Sequence, residues 1–244
     1  MSDRDWPEHA YATALLILTA ATGAIDGVSY LALDRVFTGN MTGNVLFIGF
    51  GLVGVAGIPV LNNLVALLAF LLGAVVGARV AGRSAGTLRL RRSGLVLIMA
   101  NAGLVLILGG AWLALGKIGT PVMIAITGVL ALLLGSQAAA LKQIGLRDLS
   151  TVVVTMTMVN LGTDSRLAGG PGVAWRRRLA AIVTMGLGAL GAAAVTRSLG
   201  GAYALLLAGV VMASGAVALG RARRLDAAGL SQRSGGTVTS AANV

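Results

Sequence analysis

The sequence predicts an all-α integral membrane protein with six full transmembrane helices and two short re-entrant, half-membrane helices, arranged as two inverted-topology repeats. Three observations lead there: an apolar excess, a series of apolar stretches of membrane-crossing length, and a lopsided distribution of Lys and Arg. Hydrophobic residues make up 57% of the 244 and charged residues 11%, where soluble domains have nearly half and about a quarter. A hydrocarbon core about 30 Å thick takes about 20 helical residues to cross. Apolar stretches of that length recur between residues 11 and 220.

In chain order, residues 1–10 form a polar segment with Asp3, Arg4, Asp5, Glu8 and the single histidine, His9. They lack the basic start of a signal peptide, so the first span is expected to be retained. The first repeat, 11–115, carries full spans at about 11–33, 60–82 and 93–115, and the second, 120–220, carries them at about 120–142, 177–198 and 202–220. Between the first two spans of each repeat lies a short segment, about 41–57 and about 151–163. At 1.5 Å per residue the second reaches only about 20 Å, too little to cross. Residues 221–244 shift to Ala, Ser, Gly and Thr and read as a flexible cytoplasmic tail.

Charge decides whether the short segments cross, because cytoplasmic loops accumulate Lys and Arg. If both cross, the 19 Lys and Arg residues split almost evenly between the two sides. If both turn back and the N-terminus is cytoplasmic, only Arg35, Lys117 and Arg197 lie outside. That asymmetry predicts two re-entrant segments and both termini in the cytoplasm. The net charge of +11 is then a topology signal and a contact to anionic lipid headgroups, and no nucleic-acid partner is expected. With no cysteine and one histidine, neither thiolate chemistry nor a metal site is expected, nor any cofactor.

The halves echo each other. Setting residues 38–49 against 151–162 matches Thr38 with Thr151, Thr42 with Thr155 and Gly49 with Gly162. Gly23 falls opposite Gly135, and Gly73 and Gly77 are echoed by Gly188 and Gly191. Three crossings per half put the second half into the membrane upside down, as in many transporters.

Irregular backbone survives at membrane depth only where it meets protein or water, so both short segments are expected to face the centre. Thr38, Asn40, Thr42 and Asn44 from one half would then meet Thr151, Thr155, Thr157 and Asn160 from the other around a small polar solute. The bland reading is that these groups bond neighbouring backbones. Asn40 and Asn44, four apart, are read as sharing a helical face. Gln137 is expected to donate from the opposite side. Asp26 is a carboxylate deep in the first span, costly unless it has a partner or a task. It is either a proton carrier coupling transport, or it pairs with Arg35 or caps a helix break. Asn101 reads as glue between helices, Lys142 as snorkelling, and the small-residue patterns as close helix crossings or a homo-oligomer face.

The stretches Gly23–Leu31 and Val36–Val45 resemble the signature of the YoaK-like family of bacterial inner-membrane proteins, and the likeness extends over roughly residues 10–222. In the second half residues 135–140 and 151–155 also look like that family, although Met156 stands where a Gly is expected. The resemblance implies a bacterial inner (plasma) membrane protein of about six spans, with no substrate and no site residues to carry over.

The leading functional expectation is a small secondary transporter, proton-coupled through Asp26. The alternatives are a passive channel for a small neutral or anionic solute, and a non-transporting scaffold or regulatory protein that docks through the loop 82–93 and the cytoplasmic arginines. No nucleophile, base and orienting group stand together in a pattern that predicts an enzyme.

Overall fold

A computed structural model describes residues 5–82, 90–142, 144, 154–172 and 174–240. Among these, the regular structure is helical throughout. Six long helices are apolar enough to cross a membrane: α1 (Asp5–Ala32), α3 (Val60–Ala81), α4 (Arg92–Leu115), α5 (Thr120–Lys142), α7 (Trp175–Ser198) and α8 (Gly201–Ser240). Two short ones, α2 (Met41–Leu52) and α6 (Val154–Thr163), fall where the short segments were expected, with a 3₁₀ turn at Arg166–Ala168. The 12 residues of α2 extend about 18 Å and the 10 of α6 about 15 Å. Gly54 and Gly57 at positive φ, followed by Pro59, end α2 and turn the chain into α3. One expectation is corrected: α8 continues to Ser240, well beyond its apolar part, Gly201–Ala227. Ala, Arg and Leu dominate residues 221–230, and these good helix formers extend the helix where a tail was expected.

The glycines reveal which helices touch and in which direction they run. Gly73 and Gly77 of α3 lie on Leu132 and Ser136 of α5, and Gly128 lies beside Val65, so α3 and α5 are parallel. Gly23 and Gly27 of α1 meet Met185 and Ala189 of α7, and these two also run parallel. Against α8, however, Gly201 sits beside Ala32 and Trp112, Gly209 beside Leu106, Gly215 beside Leu18 and Gly220 beside Leu95. Helices α1 and α4 are therefore both antiparallel to α8. Because α4 and α5 form a hairpin across residues 116–119, α5 and its companion α3 oppose α1. The end of α1 and the start of α3 thus lie at one end of the bundle, and the end of α5 and the start of α7 at the other.

Two of the crossings are built alike. In one, a side chain at Gly23 would strike the Met185 carbonyl and one at Gly188 the Ala20 carbonyl; in the other, Gly135 meets the Phe70 carbonyl and Gly73 that of Leu132. A single shift along the chain relates Gly23 and Ala20 to Gly135 and Leu132, and another relates Phe70 and Gly73 to Met185 and Gly188. Bare glycine lets the backbones approach closely, which is how helices associate without a hydrophobic drive in lipid.

Helix α1 is the centre of the bundle, with 67% of its most apolar stretch buried against 11% for α7 and 22% for α3. The outer helices turn Leu61, Leu68, Leu71, Leu187 and Leu190 outward, as lipid-facing surfaces do. Asn101 of α4 donates to the Leu133 carbonyl at 3.0 Å and to Ser136 Oγ at 2.8 Å, tying α4 to α5 as interhelical glue.

Candidate solute site

Beyond α1, Asp34 and Arg35 take the left-handed conformation (φ 71° and 55°). They turn the chain so that residues 36–40 run back beside α1. Asp26 lies six residues, about 9 Å of helix, before the end of α1, yet it reaches this returning loop. Its Oδ1 accepts from the Gly39 N–H at 2.7 Å, the Thr38 N–H at 2.8 Å and the Thr38 hydroxyl at 3.2 Å. Buried amides need partners, and bonds to a carboxylate are the stronger kind. Any side chain at residue 39 would crowd Thr22 and both Asp26 oxygens, so glycine allows this approach. The Asn40 N–H adds to the field on the carboxylate, but Oδ2 accepts no hydrogen bond.

Asn44, one turn into α2 and fully buried, secures the other face of the loop. Its Oδ1 accepts the Phe37 N–H at 3.0 Å and its Nδ2 donates to the Phe37 carbonyl at 2.6 Å. The amide thus completes the hydrogen bonding of Phe37 as a neighbouring strand would. Its Nδ2 also reaches the Met41 sulfur at 3.7 Å, and the buried side chain does not line the cleft. Asn40 is exposed, and with φ −90° and ψ 77° it precedes the helix rather than belonging to it, so it shares no helical face with Asn44.

Beside this loop, between α1 and α7, lies a cleft of about 350 Å³. Asp26, Tyr30 and Leu31 line it from α1, Phe37 and Asn40 from the loop, and Met185 and Ala189 from α7. Among the described residues, Asp26 is the only charged side chain in its wall. The Tyr30 and Phe37 rings stack at 5.0 Å, and Phe47 of α2 stacks on Phe37 at 6.1 Å.

The two short helices, expected to meet, do not. Helix α2 packs on α3, and α6 packs on α7 and the 3₁₀ turn; among the described residues they make no contact. Each is held by its own anchor, the loop at Asp26 on one side and Arg178 on the other. Thr155 is exposed, Thr157 buried and Asn160 half-buried, and none lines the cleft. Thr42 is exposed on α2, and Thr151 lies outside the described residues. Gln137 is buried in α5 with Oε1 unpartnered, also away from the cleft wall.

Several contributors escaped sequence reading. Arg178 of α7 donates to the Asn160 carbonyl at 2.8 Å and pairs with Asp164 at 2.7 Å, fastening α6 to α7. Asn62, at the start of α3, donates to the Leu33 carbonyl at 3.1 Å, fastening the end of α1. The aromatic cluster had a signal: three of the four Phe residues fall within residues 37–50.

Fold and cleft together define a multi-pass α-helical membrane protein. Residues 14–218 match the family described as Protein of unknown function (DUF1275), and the chain belongs to that family. It is 32% identical over 156 residues to the UPF0700 transmembrane protein YoaK of Bacillus subtilis (strain 168), covering 64% of this chain and 68% of the relative. The expected YoaK-like membership holds. No solved structure is detectably similar to the chain.

Proposed function

We propose that the protein is a secondary transporter of the bacterial inner membrane, with both termini in the cytoplasm, that binds a small solute in the α1–α7 cleft and couples its passage to protons through Asp26. The carrying observation is that carboxylate: an acid inside a membrane-spanning helix, 5% exposed, holding a returning loop with one oxygen and leaving the other unsatisfied beside a cleft. Ionisable groups at such depth are rare and belong mostly to substrate or proton pathways.

The architecture supports the same reading. The two glycine-built crossings and the opposed directions of α1 and α5 fit two inverted repeats, in which α2 and α6 are re-entrant segments dipping in from opposite sides. Transporters with such repeats alternate access by rocking one against the other around a fixed site. The cleft replaces the space between α2 and α6 as the solute site, with Asp26 and Asn40 retained from the expected set and Thr38 and Asn44 as supports. A proton on Oδ2 would leave the three bonds at Oδ1 in place. The loop would then hold its position while Asp26 changes charge, so loading and unloading need no unfolding.

The test is reconstitution into liposomes containing a pH-sensitive dye. With panels of amines, amino acids and sugars added outside, the wild-type protein should produce a solute-dependent change of internal pH, and Asp26→Asn should abolish it. If no solute moves protons, or Asp26→Asn behaves as wild type, proton-coupled transport is wrong. Solute flux that is unsaturable and indifferent to the proton gradient would mean a channel.

A further inference from the structure

We infer that the cleft selects a small organic cation with an apolar body, an alkyl- or arylammonium, which exchanges with a proton at Asp26; this deepens the transporter reading and rests on it. The cleft wall holds one charge, and it is negative. Its Oδ2 is buried and has no donor, so the carboxylate at the edge of the cleft lacks one positive partner, which a cation lodged beside it or a proton on it supplies. Two of the remaining walls are aromatic: Tyr30 and Phe37, stacked at 5.0 Å with Phe47 behind. Aromatic faces attract cations, and recognise quaternary ammonium groups in particular. Leu31, Met185, Ala189 and Ala193 complete a wall suited to hydrocarbon.

The other solute classes fit poorly. An anion would face Asp26 with no Lys or Arg in the wall to oppose it. A sugar needs several hydrogen-bonding groups, and beyond Asp26 the side chains offer little more than the Asn40 amide and the Tyr30 hydroxyl. A divalent metal such as Ca²⁺ needs six to eight oxygen ligands. At about 350 Å³ the space is at the small end of ligand pockets, which run from about 300 to 1,000 Å³. Exchange balances simply: one cation leaves the carboxylate as one proton forms an O–H bond there, so Asp26 goes from −1 to neutral while the net charge of the occupied site stays zero.

The full chain, purified in detergent, is tested with two probes of nearly identical shape, benzyltrimethylammonium and its neutral carbon isostere neopentylbenzene. Wild type should bind the cation more tightly than the isostere. Asp26→Asn should weaken the cation on the order of a hundredfold and leave the isostere unchanged. Tyr30→Leu and Phe37→Leu, which touch none of the bonds at Asp26 Oδ1, should each lower the preference for the cation about fivefold. If Asp26→Asn does not fold, those two variants decide alone. Equal affinity for the two probes in wild type, or a cation preference that survives all three substitutions, overturns the inference. Cation binding without flux in liposomes would uphold the cation site and overturn the transporter reading. Proton-coupled flux of a neutral solute without cation binding would do the reverse.

Discussion

Replacing Asp26 by Leu removes the acceptor for the Thr38 and Gly39 amides, both buried. A buried donor left without a partner costs about 1–3 kcal/mol, so the pair costs about 4 kcal/mol. Asp26→Asn keeps an acceptor and forfeits only the charge assistance, about 1 kcal/mol per bond and about 2 in total. The loop can detach without unfolding the bundle, so the loss is read locally. The chain has no cysteine, and Val36, in the loop, is fully buried. A Val36→Cys thiol therefore reacts with a maleimide only when the loop lifts. At tenfold per 1.4 kcal/mol, its labelling should speed up about thirtyfold in the Asp26→Asn background and about a thousandfold in Asp26→Leu. Equal labelling rates across the three backgrounds would refute the claim that Asp26 holds the loop.

Other consequences of the packing are testable together. Gly73→Leu and Gly188→Leu drive side chains into the Leu132 and Ala20 carbonyls and should each cost about 1–3 kcal/mol or more in thermal unfolding. Gly186→Ala and Gly191→Ala, with open space around them, should cost nothing; a crossing glycine that accepts Leu freely would contradict the packing described. Arg178→Ala leaves Asp164 and the Asn160 carbonyl without a donor they now have, and should cost about 2 kcal/mol, seen as faster amide exchange confined to α6. Unchanged exchange there would mean that Arg178 does not fasten α6. Single cysteines replacing Arg79, Arg166 and Arg176 should label from one side of the membrane, and those replacing Arg35, Lys117 and Arg197 from the other. Arg166 labelled from the side opposite Arg79 would make α6 a crossing helix and end the six-span topology.

The spans were legible because apolar length is a local property, read to within a residue or two at most of their ends. Asp26 stood out for a similar reason, a charge where hydrocarbon should be. Its partner was harder to see, because the Thr38 and Gly39 amides come from a loop that doubles back, and sequence spacing does not register backbone donors. The pairing of Asn40 with Asn44 failed on a boundary: four residues apart share a face only if both are helical, and Asn40 stops just short. The expected meeting of α2 with α6 failed because each short helix packs against its own following helix, α2 on α3 and α6 on α7, the latter through Arg178. The aromatic cluster was overlooked because Phe in an apolar chain draws no notice, although its crowding into residues 37–50 is uneven.

A structure of the protein with 4-bromobenzyltrimethylammonium bound asks most directly whether the α1–α7 cleft is the solute site, because bromine marks the probe unambiguously. The ammonium should lie within about 6 Å of the Tyr30 or Phe37 ring and next to Asp26, with bromine toward Met185 and Ala189. Bromine found between α2 and α6, or a cleft filled by a lipid chain with the probe elsewhere, would contradict the account.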